Sequence, residues 1–425
     1  MSGLTGVGPI NMKSLLITDI AKLAGLHPTA VLQLRGNEMA NLPVLENAWL
    51  LVENGKIKSF GPMYQLPELA EATERISANG GCVLPSWCDS HTHLIFAASR
   101  EEEFVMKIKG KTYEEIAAAG GGILNSASKL QTASEEDLFQ KAWIRLEELI
   151  RLGTGAIEIK SGYGLSLESE LKMLRVIRKL KEQAPIPVKA TFLGAHAYPQ
   201  EYKSNHGGYI DLLINEMLPQ IASEGLADYI DVFCEQGFFS LTETEQLLEA
   251  GTNHGLKAKI HANQLSASGA VELAVKHRAL SVDHLEVMNG PAFDALSQND
   301  TIATLLPNCS LFLNIPFANA RELINRDVAV ALASDFNPGS SPSGNINQVV
   351  SLACMRMKML PQEAINAATL NGAAAMELSA NYGSIAPGKA ANLIITKPIP
   401  SLAYLPYAFG SNLIDRVIVK GAIYE

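Results

Sequence analysis

Between about residue 82 and residue 380 the chain repeats one pattern eight times. A short apolar run of strand length ends at or near polar residues, and a longer stretch of helical period follows. The runs are CVLPSWCDSH from Cys82, GAIEIK from Gly155, VKATFLGAH from Val188, ADYIDVF from Ala227, LKAKIH from Leu256, ALSVDH from Ala279, TIATLLP from Thr301 and VAVALASD from Val328. Strands separated by helices pair in parallel, because each helix carries the chain back to the edge where the next strand starts. Eight such units predict a closed (β/α)8 barrel. The intervening helices are credible: EEDLFQKAWIRLEELIRLG has one apolar face and stops at Gly153, and LESELKMLRVIRKLKEQ behaves likewise.

Outside the repeat the pattern changes. From Leu15 to Val83 short apolar stretches alternate with turns, and Asn54-Gly55 between two strand-like runs is a strong hairpin signal. Strand-like ANLIIT (Ala391 to Thr396) and VIVKGAIY (Val417 to Tyr424) mark the other end. The prediction is a small discontinuous β-sandwich domain from residues 1–83 and 384–425, enclosing a barrel over 84–383. The Gly-rich first 11 residues read as a flexible tail.

Composition excludes several partners. With 34 basic against 44 acidic residues the net charge is −10, and no Lys/Arg block offers the phosphate-neutralising surface that nucleic acid requires. No apolar stretch is long enough for a membrane helix and no secretory leader pattern is present. Five cysteines without a C-x-x-C pair suit a reducing compartment, so a cytoplasmic protein is expected, with the thiols as buried small apolar groups.

The chemistry lies at the strand ends, where barrel enzymes keep their catalytic residues. His91, His93, Lys160, His196, Glu235, His261, His284 and Asp335 all fall there, taking five of the nine histidines. His91-Thr92-His93 puts two imidazoles on one side of an extended chain. Alone that is a weak motif, equally compatible with packed histidines. Together with His261 and Asp335 it makes a donor set suited to zinc or ferrous iron.

The stretch PSWCDSHTHLIFAASREEEFVMKIKGKTYEEIAAAGGGI, with KSGYG, TFLGAHAYP, VFCEQGFF, IHANQL, SVDHLE and ALASDFNPGSSP, resembles the imidazolonepropionase family of the amidohydrolase superfamily. The likeness runs from about Leu15 to the C-terminus. Its specific parts are the arginine seven residues after the H-x-H, the AGGGI loop and DFNPGSSP, which amidohydrolases at large do not share. The resemblance implies a TIM barrel of the amidohydrolase type that hydrolyses 4-imidazolone-5-propanoate to N-formimino-L-glutamate in histidine degradation. It implies one divalent ion per subunit, Zn2+ or Fe2+, on His91, His93, His261 and Asp335. It implies substrate contacts from Arg100, Tyr113, Tyr163, His196, Gln264, Asn337, Gly339 and Ser340, and catalytic roles for His284, Asp335 and His196; a homodimer is expected of a barrel of this type.

Each residue also has its own rationale. Arg100 suits the substrate's propionate, since a guanidinium binds a carboxylate through two parallel hydrogen bonds; the competing reading is a surface pair with Glu101 to Glu103. Tyr163 sits in a glycine-flanked loop that lets a phenol reach inward. Asn337 to Ser340 offer donors beside Asp335 for the carboxylate created by ring opening, although a structural turn would explain them too. His196 is expected to bond and polarise the substrate carbonyl, or to bond its carboxylate, and His284 to move protons. Gln264 stands where amidohydrolases that deaminate nucleobases commonly carry Glu, and an amide cannot titrate, which disfavours a deaminase. Glu235 could bridge a second ion, but a supporting position is favoured. A non-catalytic scaffold would be expected to lose metal ligands, and all four are present. KGKT (Lys109 to Thr112) is no phosphate loop, because Val105 stands where the motif needs glycine. Gly120 to Gly122 read either as a flexible segment at the mouth or as a helix stop.

Overall fold

The computed structural model describes residues 14–68, 73–112, 115 and 121–425. Tyr113, Gly120 and the first 11 residues fall outside them.

Eight parallel strands form the barrel in sequential order: Trp87–Asp89, Thr154–Lys160, Val188–Ala195, Tyr229–Cys234, Lys257–Ala262, Ser281–His284, Ile302–Leu305 and Val330–Leu332. The first and last strands meet beyond their ends. Asp335 N–H donates to the His91 carbonyl (3.0 Å), His93 N–H donates to the Phe336 carbonyl (2.9 Å), and Thr92 bridges Phe336 in parallel. That closure brings His91, His93 and Asp335 together.

The anticipated helices form. Glu135–Arg151 starts at Ser134, whose hydroxyl accepts from Asp137 N–H at 3.1 Å, and Leu167–Gln183 starts at Ser166, which accepts from Ser169 N–H. Such caps contribute about 1 kcal/mol each. Their inward faces, including Leu146, Leu149, Leu174 and Ile177, are buried in the continuous core around the barrel.

The two ends of the chain build a second eight-stranded sheet. Leu393–Thr396 pairs antiparallel with Cys82–Pro85, and that strand pairs parallel with Leu15–Ala24. Its core is Leu15, Ile17, Leu50, Val52, Ile57, Val83, Leu393, Ile395 and Ile418, in keeping with the small sandwich expected from the termini. The Asn54-Gly55 hairpin is present, with both residues at positive φ (53° and 73°) as a tight two-residue turn requires. One run divides differently from the sequence reading. CVLPSWCDSH supplies two strands, Cys82–Pro85 in the terminal sheet and Trp87–Asp89 in the barrel. The switch lies at Ser86, whose N–H donates to the Asn392 carbonyl (3.0 Å) while Trp87 N–H donates to the Gly153 carbonyl (2.9 Å). No helix among the described residues is long and apolar enough to cross a membrane.

Candidate active site

Three imidazoles converge at the top of the barrel. His91, His93 and His261 are buried, with candidate ligand atoms all within 4.8 Å of one another. Asp335 Oδ1 lies 3.6 Å from His91 Nε2 and 3.4 Å from His93 Nε2. His91 Nε2, His93 Nδ1 and both ring nitrogens of His261 are buried without a hydrogen-bond partner. Buried polar atoms are almost always satisfied, and a divalent ion would satisfy several of these at once. The residues present therefore fit a metal. Burial depresses the pKa of His91 and His93, in His91 with help from the Lys160 charge, which keeps both rings neutral as ligands must be. For Asp335, burial alone would raise the pKa, but the hydrogen bond and charge of His93 outweigh it and hold the carboxyl below its usual range.

Below the histidines lies a layer that sequence reasoning missed, apart from noting Lys160 as a strand end. Lys160 Nζ contacts Glu158 (2.6 Å) and Asp231 (2.8 Å) and lies 3.6 Å from Asp283. Lys259 pairs with Glu158 as well. All five side chains are fully buried. Two carboxylates reach upward: Asp283 Oδ2 lies 2.6 Å from His91 Nδ1, and Asp231 Oδ2 lies 3.0 Å from His261 Nδ1 with poor hydrogen-bond alignment. A carboxylate behind a ligating imidazole fixes its tautomer and its direction. The signal was available, because GAIEIK, YIDVF, KAKIH and SVDH each carry a charged residue inside an otherwise apolar buried run.

Above the histidines is a cavity of about 290 Å3 lined by His93, Arg100, Lys107, Tyr163, His196, His261, Gln264, His284, Asp335, Asn337, Gly339 and Ser340. The structure thus brings Arg100, Tyr163, His196, Gln264, Asn337, Gly339 and Ser340 around one space, while Tyr113 lies outside the described residues. Two of these residues lie in left-handed backbone at strand ends, His284 (φ 87°) and Asp335 (φ 54°). A non-glycine residue at such angles costs of order 1–3 kcal/mol, and such residues concentrate at functional sites.

Glu170 builds the Tyr163 loop. Its carboxylate accepts from the N–H groups of Gly162 (3.1 Å), Gly164 (2.7 Å) and Leu165 (3.0 Å). The Tyr163 ring consequently sits 5.9 Å from that of His93 and 5.5 Å from that of His196, and burial raises its pKa. Arg100 also depends on a glycine. A Cβ on Gly339 would lie 2.1 Å from Arg100 Nη1, so only glycine admits the guanidinium there.

The surroundings of the predicted residues add detail. His196 Nδ1 lies 3.0 Å from the Gly162 carbonyl and must donate to it, and burial holds the ring's pKa well below normal. In that neutral tautomer Nε2 is left as an acceptor facing the cavity. The backbone donors foreseen at Asn337 to Ser340 are internally satisfied: Gly339 N–H and Ser340 N–H both donate to Asn337 Oδ1 at 2.8 Å. Glu235 is held in its own network, in keeping with the supporting position expected for it. It accepts from the N–H groups of Gln236 (2.9 Å), Leu265 (2.9 Å) and Ser266 (3.3 Å) and contacts the Ser266 hydroxyl, anchoring the loop that carries Gln264. At His284, burial lowers the pKa, but Glu286, Asp335 and Asp283 outweigh it and the net shift is upward. Its Nδ1 is 3.6 Å from Glu286 Oε1. Cys309, expected only as packing, lies 3.4 Å from Gln264 Nε2.

The profile of the Amidohydrolase family matches residues 82–424. The imidazolonepropionase of Christiangramia forsetii is 56% identical over 96% of this chain and 100% of its own length. That of Flavobacterium johnsoniae is 57% identical over 96% and 99%. Among solved structures, E. coli guanine deaminase superposes with a TM-score of 0.71 at 14% identity, covering 97% of this chain and 98% of its own, which shows a shared fold. With identity above half over 96% of the chain and a family profile covering the barrel and the C-terminal strands of the terminal sheet, the chain belongs to the amidohydrolase family and, within it, to the imidazolonepropionases.

Proposed function

We propose that this chain hydrolyses the ring amide of 4-imidazolone-5-propanoate to give N-formimino-L-glutamate, with one divalent ion on His91, His93, His261 and Asp335. The observation that carries the reading is the convergence of unpartnered buried imidazoles and Asp335 beneath a cavity that also holds Arg100. Three nitrogens and one carboxylate suit Zn2+ or Fe2+. When bound, such an ion acidifies water toward neutrality and polarises a carbonyl.

The remaining steps belong to the chain's own side chains. Arg100 takes the propionate, and His196 Nε2 accepts a ring N–H, which orients the ring above the histidines. Gln264 offers an amide N–H and C=O to the ring's own donors and acceptors, and the Tyr163 hydroxyl closes the wall beside His93. The attacking water must lose a proton, and the ring nitrogen must gain one as its C–N bond breaks. Asp335 and His284 Nε2 are the groups placed to handle these protons, with Glu286 near Nδ1 favouring the charged imidazole. Ring opening creates a carboxylate beside Asn337, Gly339 and Ser340. The N–H groups of Gly339 and Ser340 can bind it by giving up their bonds to Asn337 Oδ1.

Loss of the substrate's ultraviolet absorbance tests the reading. Metal-loaded protein should remove it, chelated protein should not, and turnover independent of metal would reject the assignment.

A further inference from the structure

The mouth of the cavity contains a second cation that the reading above leaves without a task. Arg100 caps the helix Glu101–Ile108, and positions 100, 103 and 107 follow each other at spacings of three and four, which places them on one face. Glu103 is buried and takes the best edge of the Arg100 fork, accepting from Nε at 2.8 Å and Nη2 at 2.5 Å; its Oε1 also accepts from Gly122 N–H at 3.0 Å. The Arg100–Glu103 pair is therefore electrically neutral, and among the described residues Nη1, which lies against Gly339, carries no hydrogen bond.

The paired guanidinium can still direct a hydrogen bond to an anionic substrate, but the pair adds little net charge to the mouth. Lys107 lines the same cavity and, among the described residues, makes no ion pair of its own. Its ammonium stands 5.7 Å from the centroid of the Phe312 ring, a contact that steadies a cation without neutralising it. Counting the three side chains on this helix face, two cations and one carboxylate leave a net charge of +1, and Lys107 is its source.

We propose that Lys107 is a specificity residue that provides the net charge holding the substrate's side-chain carboxylate, while Arg100, tied to Glu103, sets that carboxylate's direction. The proposal rests on the hydrolase reading for the identity of the substrate. It predicts that this enzyme selects rings bearing a short carboxylate arm over neutral rings of the same size.

The test uses calorimetric binding of imidazole-4-propanoate and of neutral 4-propylimidazole to metal-loaded wild type, Lys107→Met and Lys107→Arg. Lys107→Met should weaken the anionic ligand roughly tenfold, the loss of about one charge-assisted contact, and leave the neutral ligand unchanged. Lys107→Arg should restore most of the loss. In turnover, KM should rise by the same factor with kcat changed far less, and raised salt should increase KM more for wild type than for Lys107→Met. Equal weakening of both ligands, or none of the anionic one, overturns the proposal. If the anionic ligand responds as predicted while wild type fails to turn over imidazolonepropanoate, the Lys107 role stands and the substrate assignment falls.

Discussion

The floor and the mouth of the barrel are built on opposite electrostatic plans. In the floor, Lys160 and Lys259 face Glu158, Asp231 and Asp283, so two ammonium groups stand against three carboxylates in a region closed to water. The surplus is negative, and it lies directly under His91 and His261, where a cation would sit. At the mouth, Arg100 and Lys107 stand against Glu103, the surplus is positive, and the region opens to solvent. A rigid, dry, negative floor suits a resident metal; a wetter, positive rim suits a ligand that arrives and leaves. Lesions in the two regions should therefore separate, with floor changes altering metal retention or folding and mouth changes altering substrate binding in metal-replete protein.

The largest expected effect is at Lys160. Lys160→Met removes the ammonium that Glu158 and Asp231 contact and that Asp283 faces, and uncompensated buried charge typically costs 3–5 kcal/mol. Denaturant unfolding should show a loss of about that size. A loss below about 1 kcal/mol would mean that the floor charges are not coupled as described. At the mouth, Arg100→Ala should raise KM by roughly 10- to 100-fold, the range for charge-assisted hydrogen bonds, with metal content unchanged. If metal is lost together with substrate affinity, the two regions are not separable. Asp283→Asn keeps the shape behind His91 but removes the charge. Chelator competition should show metal affinity reduced about 10- to 100-fold, with little change in KM once metal is saturating. The smallest effect is expected from Ser266→Ala, which removes one of four contacts to Glu235. It should shift KM by only a few-fold through Gln264, at about 1 kcal/mol for one hydrogen bond.

What the sequence made legible follows the same division. The barrel was readable because its strands are short apolar runs separated by helical stretches, and the upper site was readable because His91, His93, His261, His284 and Asp335 fall at or near strand ends. The switch at Ser86 was hidden, because an unbroken apolar run does not show which sheet takes each half. The floor was hidden for a different reason. Glu158, Asp231 and Lys259 sit inside strands, and only three-dimensional register makes them neighbours, as in the pairing of Lys259 with both Asp231 and Ser281 across adjacent strands. The donor direction of His196 needed the Gly162 carbonyl, which lies 34 residues away in the chain. Lys107 was within reach of sequence reasoning through its helical spacing from Arg100, but its importance appears only once Glu103 is seen to neutralise the arginine.

The most direct test of the central claim is metal content against turnover in one titration. Purified protein should contain close to one divalent ion per chain. Chelation should remove ion and imidazolonepropanoate hydrolysis in parallel, and adding back Zn2+ or Fe2+ should restore both with an endpoint at one equivalent. An endpoint at two equivalents, or hydrolysis that survives complete removal of the ion, would contradict the account.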